Sequence, residues 1–317
     1  MIRAILIATL LLLQPALADT LKIVVPSDND SYNINARILS RYIVKYLPDH
    51  PTPVIQSVPG AASLVAANYL YNVAPRDGSV IGTFYKEIPM AGILKGQNIS
   101  FDPENFLWLG SNVDGRRDAV ILWSNTQEPQ LIGSENYTAI NPAMVIKLLG
   151  QRDMRIVVGY PDTGSTRMAL ERGEVQGVVY SLAGIKAQKP GWLLPGSGIF
   201  PVLQFGNGKT RHPEYSGVQT LSEVVQSSIN SQTLSVVELS FTMLRPFVAP
   251  PGVPERRIME LRTAFALAVN DPEYREEAAR ARIDVSLIDW REAEAIVHSM
   301  ATASPETIGE IKKLVKE

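Results

Sequence analysis

Cysteine is absent from the 317 residues of the chain. Disulfide bonds, thiol nucleophiles, thiolate metal sites and a lipid-modified cysteine at a processed N-terminus are therefore excluded. An excess of charge of one sign is missing too, because 30 Lys and Arg residues stand against 32 Asp and Glu residues, for a net charge of −2. This balance gives no electrostatic case for binding nucleic acid or anionic lipid.

Motifs for common catalytic and metal-dependent chemistries are also missing. The histidines His50, His212 and His298 are far apart in the chain, and no HExxH pair occurs. There is no GxSxG elbow, no GxxxxGK[ST] phosphate loop and no GxGxxG dinucleotide loop. Asp28 and Asp30 look like part of a calcium loop, but the Gly and the bidentate Glu that such a loop requires do not follow. We therefore predict no cofactor, no metal site and no enzyme activity.

Apolar runs of 18 or more residues, the length that crosses a membrane, are absent. A shorter run at residues 4–13 follows Arg3 and contains one polar residue. Pro15 and a small-x-small triplet at residues 16–18 come next, which is typical of a secretory signal peptide cut after Ala18. We therefore expect residues 1–18 to be removed and the protein to be exported to the periplasm. An uncleaved anchor is the alternative interpretation.

Apolar strands and amphipathic helices alternate along the chain, joined by short polar segments. The runs LKIVV, PVIQ and SVIGTF are typical of strands, and helical patterns separate them. The middle of the chain repeats this order, and amphipathic helices follow residue 254. The pattern predicts an α/β protein whose mostly parallel sheets are flanked by helices.

The C-terminal helices need a surface to cover, and we expect them to pack back on the first α/β unit. The middle unit is then an insertion, with the chain crossing between lobes near residues 113–120 and 240–245. This arrangement predicts a first lobe of residues 19–117 and 243–317, and a second lobe of residues 118–242.

Five polar loops with small residues follow strands and lead into helices, at residues 27–33, 59–63, 83–87, 134–141 and 162–166. The first N–H groups of a helix have no intrahelical partner and carry partial positive charge, so they can bind a carboxylate or a phosphate. In an open α/β sheet such loops meet outside the carboxyl ends of the strands. Any single loop is equally well explained as a helix cap. Five of them favour an anion-binding cleft between two lobes.

The segment PVIQSVPGAASLVAANYLYNVAPRDGSVIGT resembles the signature of tripartite tricarboxylate transporter receptors, the Bug-type solute-binding proteins. In that family an N-x-PGAGG turn opens a helix and A-x-PDGYTL follows. The ending LRPFVAPPGVPERRIMELRTAFALAVNDPEYREEAARARI is similar to the ending of the family, and the centre matches it more loosely. The resemblance covers nearly the whole chain after the leader, in the order of the family's motifs.

The resemblance implies a two-lobed periplasmic-binding-protein-like fold with two crossing strands as a hinge. It implies a receptor that closes around a small organic acid and delivers it to the membrane subunits of a transporter. A membrane sensor kinase is an alternative partner, and we expect a monomer. The solute contacts that the resemblance implies in the first lobe are Ser31, Tyr32, Asn33, Gly60, Ala61, Ala62, Ser63, Thr83 and Tyr85. Those that it implies in the second lobe are Ser134, Asn136, Thr138, Ala139, Tyr160 and Thr163.

The chain departs from the family pattern at its loops. PGAGG is PGAAS here, which adds Cβ atoms and a hydroxyl, and Asn33 stands where the family has Asp. The PYKG loop is YPDTG, so a basic group is missing and Asp162 is gained. In the first loop, Asp28 and Asp30 would repel a carboxylate if they faced it. We therefore expect a solute that is less anionic than a tricarboxylate, or zwitterionic.

Two other classes of function remain open. An exported enzyme is one of them, with Asp28, Asp30, Glu87 or Asp162 as acid–base groups, although nothing in the sequence brings two of these together. An adhesin or scaffold protein is the other, although the aromatic content of 7% gives no sign of an exposed contact patch.

Overall fold

A computed structural model describes residues 20–28, 30–117, 119–134, 145–146, 153–160, 163–205, 208–225 and 231–316. The predicted signal peptide lies outside these residues. So do three of the predicted solute contacts, Asn136, Thr138 and Ala139, and the acidic loop residue Asp162.

Eleven strands are described, and they form two separate sheets. In chain order they are β1 (Thr20–Val25), β2 (Thr52–Ser57), β3 (Val80–Thr83), β4 (Leu107–Ser111), β5 (Val120–Ser124), β6 (Leu131–Gly133), β7 (Arg155–Val157), β8 (Gly177–Ser181), β9 (Phe200–Phe205), β10 (Pro246–Ala249) and β11 (Ile288–Asp289).

The α-helices of the described residues flank these sheets. In chain order they are α1 (Ser31–Lys45), α2 (Leu64–Asn72), α3 (Ile88–Leu94), α4 (Thr163–Glu171), α5 (Leu182–Gln188), α6 (Leu221–Val224), α7 (Ser231–Leu239), α8 (Glu255–Asn270), α9 (Pro272–Arg280), α10 (Trp290–Ala301) and α11 (Pro305–Lys316).

The first sheet has the strand order β11-β4-β10-β3-β1-β2. Strands β1, β2 and β3 pair in parallel, whereas β10 pairs antiparallel with both β3 and β4, and β11 pairs antiparallel with β4. Four of the six strands therefore point the same way, and their carboxyl ends lie at one edge of the sheet. The loops at residues 27–33, 59–63 and 83–87 follow β1, β2 and β3 at this edge.

The second sheet has the order β7-β6-β8-β5-β9. Here β6 is parallel to β7 and β8, and β5 is antiparallel to β8 and β9, so that four of five strands share one direction. Trp123 on β5 is fully buried and contacts the rings of Trp192 and Tyr215. The two open, helix-flanked sheets confirm the predicted α/β fold with two lobes.

The two chain crossings between the sheets lie side by side. Asp114 and Met243 form an antiparallel bridge. The Gly115 N–H donates to the Thr242 carbonyl at 2.7 Å, and the Leu244 N–H donates to the Val113 carbonyl at 3.1 Å. The crossings at residues 113–120 and 240–245 are therefore joined by backbone hydrogen bonds rather than running independently.

The C-terminal helices pack on the first sheet. Helix α8 lies against α1 and β4, and α10 lies against β4. A nearly buried ion pair joins Arg257 of α8 to Asp49 at 3.0 Å. Helix α7, which the predicted boundaries place in the second lobe, contacts α10 and α11. The packing of α8 and α10 thus ties the C-terminal part of the described chain to the first sheet and brings α7 close to it.

Candidate functional site

The turn between β2 and α2 is left-handed over four consecutive residues. The φ angles are +130° at Gly60, +45° at Ala61, +49° at Ala62 and +75° at Ser63. A residue with a Cβ atom loses about 1–2 kcal/mol in this region, and such residues normally occur there singly. Strain of this kind persists only where the surrounding structure enforces it, and it concentrates at functional sites.

Three backbone N–H groups of this turn have no hydrogen-bond acceptor in the described chain. Within the described chain, the N–H groups of Gly60, Ala61 and Ala62 donate to no acceptor. Gly60 and Ala61 are exposed. Successive N–H groups at a left-handed turn form a concave site for an anion, and the start of α2 adds positive potential. The contact of this turn with a carboxylate stays a prediction.

Ser63 fixes the turn to the next loop along the sheet edge. Its side chain is buried, and its Oγ accepts a hydrogen bond of 3.0 Å from the Tyr85 N–H. The Tyr85 hydroxyl in turn donates to Asp30 Oδ2 at 2.9 Å. The three loops that follow β1, β2 and β3 are thus connected through side chains, which gives the left-handed turn the support that its strain requires.

Only some of the predicted solute contacts in the first lobe are exposed. Asn33 is buried, where its Nδ2 donates to the Ser27 carbonyl at 2.8 Å and its Oδ1 accepts from Arg37 Nε at 2.6 Å. Thr83 is also fully buried, and its hydroxyl has no partner in the described part of the chain. The side chains of Asn33 and Thr83 therefore shape the loops from inside, whereas Ser31 is partly exposed.

The Asp30 carboxylate accepts hydrogen bonds from other groups of the protein. Its Oδ1 accepts from the Tyr32 N–H at 3.0 Å and from the Asn33 N–H at 2.9 Å, which caps α1. Its Oδ2 accepts from the Tyr85 hydroxyl. Hydrogen bonds from these groups compensate the carboxylate, so Asp30 opposes a bound anion less than the sequence suggested.

An arginine that the sequence analysis did not select completes this side of the site. The guanidinium of Arg245 lies 4.1 Å from the centre of the Tyr32 ring, and its Nη2 donates to Ser31 Oγ at 2.8 Å. The Tyr32 ring contacts the Tyr85 ring, with 4.9 Å between their centres. Burial raises the pKa of the Tyr32 hydroxyl, and the nearby Arg245 opposes this rise. Tyr32 is therefore neutral and supports a positive charge above its ring face.

The second lobe contributes three predicted residues to the described structure. Ser134 is buried at the carboxyl end of β6, and its N–H donates to the Val157 carbonyl at 2.9 Å. Tyr160 is half-buried after β7, and Thr163 begins α4. All three lie at or after the carboxyl ends of neighbouring parallel strands, as in the first lobe. Their contact with a solute stays a prediction.

Other chemistries find little support in the described ranges. No cluster of three or more His, Asp or Glu residues there is placed to hold a metal ion. None of the described helices combines the length and the apolar character needed to cross a membrane.

Comparison with known proteins identifies the fold. No protein-family model matches the chain, and no curated protein sequence matches it. Solved structures do match. MatC from Rhodopseudomonas palustris with bound malate has a TM-score of 0.67 and 16% identity, over 94% of this chain and 99% of that one. The periplasmic binding protein BugD has a TM-score of 0.68 and 16% identity, over 93% and 97%.

A further R. palustris protein, solved with adipate, has a TM-score of 0.62 and 16% identity, over 94% of this chain and 96% of that one. These similarities extend over almost all of each chain. At such low identity they show a shared fold, which is the fold that the resemblance implied.

Proposed function

We propose that the chain is a solute-binding receptor of the tripartite tricarboxylate transporter type, which binds a small organic acid between its lobes. The bare N–H groups of Gly60, Ala61 and Ala62 carry this proposal, because they offer directed donors to a carboxylate at a strained turn. The malate and adipate in the solved structures of the same fold support the same class of solute. In this role the protein works in the periplasm and delivers its solute to the membrane subunits of a transporter.

Binding rather than catalysis follows from the type of site. Backbone N–H groups stabilise a bound carboxylate but provide no nucleophile and no general base. The solved structures of the same fold include periplasmic binding proteins rather than enzymes. A receptor of this kind needs only a difference in affinity between its open and closed states, which the second lobe supplies when it contacts the solute.

A thermal-shift panel of mono-, di- and tricarboxylates, amino acids and aromatic acids tests the proposal, with the methyl esters of the same acids as neutral controls. A carboxylate at 100 times its Kd stabilises the protein by about 2.7 kcal/mol, which raises the melting temperature, and its ester has no effect. The Ala61→Leu variant fills the exposed turn and abolishes the response. Val73→Leu, at the exposed far end of α2, keeps it. An unchanged response in Ala61→Leu would contradict the proposed site.

A further inference from the structure

Two cavities lie side by side between the lobes. The inner cavity, of about 320 Å³, is lined by Ser31 and Arg245 and so belongs to the site described above. The outer cavity, of about 560 Å³, is lined by Leu193 and His212 of the second lobe. The residues that line both cavities are Ala183, Arg282, Ile283 and Asp284. These four residues therefore form the partition between the inner and the outer cavity.

A hydrogen bond crosses this partition from one lobe to the other. Arg282 follows α9 of the first lobe, and its Nη1 donates to the Lys186 carbonyl of α5, in the second lobe, at 2.6 Å. No ion pair joins Arg282 to Asp284, which lies in the same partition, or to any other carboxylate of the described residues. Within the described chain, the contact of the Arg282 guanidinium is thus with the other lobe and not with its own.

The sequence explains why the Lys186 carbonyl is open to a donor from outside its helix. A helical carbonyl accepts from the N–H four residues further on, which here is residue 190, and Pro190 has no N–H. The preceding carbonyl, of Ile185, does accept from the Lys189 N–H at 2.8 Å. Carbonyls at the end of a helix also carry partial negative charge, which favours a cation. Arg282 therefore supplies from the first lobe the donor that α5 lacks at its own end.

Both ends of this hydrogen bond are held by their own lobes. In the second lobe, Lys189 at the end of α5 donates to Glu171 of α4 at 2.7 Å. In the first lobe, the Arg282 N–H donates to the Ala279 carbonyl at 2.9 Å. This bond closes the C-terminus of α9 and accounts for the φ of +58° at Arg282. The bond to Lys186 therefore depends on the distance between the lobes, and it breaks when they move apart by more than the reach of one side chain.

We propose that Arg282 is an interlobe strap, a positioning residue that holds the two lobes near each other before a solute arrives. It acts through α5 and needs no contact with the solute. The apparent affinity of a receptor rises with the fraction of molecules that already have the arrangement competent for binding. The effect of the strap on affinity rests on the proposed function, whereas its effect on the distance between the lobes does not.

Pulsed electron spin resonance on the full chain, without solute, tests the strap. The chain has no cysteine, so two spin labels can be attached through Val73→Cys in the first lobe and Leu194→Cys in the second, both at exposed positions. Arg282→Gln is expected to raise the fraction of molecules with a long distance between labels by about 2- to 5-fold, the usual effect of one solvent-exposed charged contact. The matched control is Arg280→Gln, whose guanidinium pairs with Glu276 of the same helix, and it is expected to keep the wild-type distances.

A conservative variant completes the test. Arg282→Lys keeps a charged donor and is expected to return the distances part of the way to those of the wild type. Wild-type distances in Arg282→Gln overturn the strap. Equally long distances in Arg280→Gln overturn it as well, because the loss of any nearby charge would then have the same effect. Since no solute is present, a strap that fails leaves the proposed function to be decided by the carboxylate panel, and a panel that fails leaves the strap in place.

Discussion

Replacing Ala61 and Ala62 by glycine is expected to stabilise the protein. Both residues have positive φ angles, at +45° and +49°, and neither side chain is buried in the core. Glycine adopts this region without a steric penalty because it has no Cβ atom. The Ala61→Gly/Ala62→Gly variant therefore keeps the turn and its N–H groups and removes only the strain.

The size of the effect follows from two opposing quantities. Each replacement relieves about 1–2 kcal/mol of left-handed strain. Each also gives the unfolded chain more freedom, which costs about 0.5–1 kcal/mol. The net gain is about 0.5–1 kcal/mol per residue, or about 1–2 kcal/mol for the pair if the two sites act independently. For a chain of this length that corresponds to a rise of about 1.5–3 °C in melting temperature.

Urea unfolding followed by circular dichroism measures this difference. The matched control is Ala295→Gly, an exposed alanine inside the right-handed helix α10. Glycine there costs about 1 kcal/mol, so the control moves the urea midpoint down while the double variant moves it up. A double variant with a lower midpoint than the wild type would refute the reasoning, because it would show that the turn at residues 61–62 is not strained.

Two further predictions concern hydrogen-bonded groups away from the turn. The hydrogen bond from Lys45 holds the pKa of Asp271 at about 2, below its ordinary 3.8, so this carboxylate contributes stability above pH 4 that is lost as the pH falls towards 2. In the Asp271→Asn variant, the free energy of unfolding measured in urea is expected to depend less on pH over that interval. A pH dependence equal to that of the wild type would exclude the effect. Asn112 donates to Asn35 Oδ1 at 2.7 Å and to the Tyr274 hydroxyl at 2.6 Å in the interior. Asn112→Ala is expected to cost about 1–3 kcal/mol by urea unfolding, and a loss near zero would show that these groups find other partners.

The fold could be predicted from the sequence to the level of its elements. The first three strands follow from apolar runs, and the helices after residue 254 follow from amphipathic patterns, both of which act locally. The direction of β5 and β10 could not be predicted in this way. Both strands are buried on both faces, so their apolar runs look the same whether the neighbours are parallel or antiparallel.

The candidate site could be predicted only as a set of loops. Residues 61–63 contain no glycine, so the sequence gives no local sign that they adopt positive φ angles. The hydrogen bond from the Tyr85 N–H to Ser63 Oγ that supports the turn is a tertiary contact, which local patterns do not reveal. Arg245 was missed for another reason. It is the one charged residue in the run SFTMLRPFVAP, and a lone charge inside a buried run is a signal that the sequence did contain.

The place of β10 in the first sheet has a consequence for the order in which the protein can form. This strand, at residues 246–249, pairs with both β3 and β4 and lies between them in the sheet that the described residues form. Before residue 246 is synthesised, β1, β2 and β3 can pair with one another, but β4 has no strand partner, because β10 and β11 both come later in the chain. The whole second sheet lies in the chain between β4 and β10. The middle of the polypeptide can therefore complete its pairing first, and the terminal third then closes the first sheet over a long sequence separation, which is a slow step in folding.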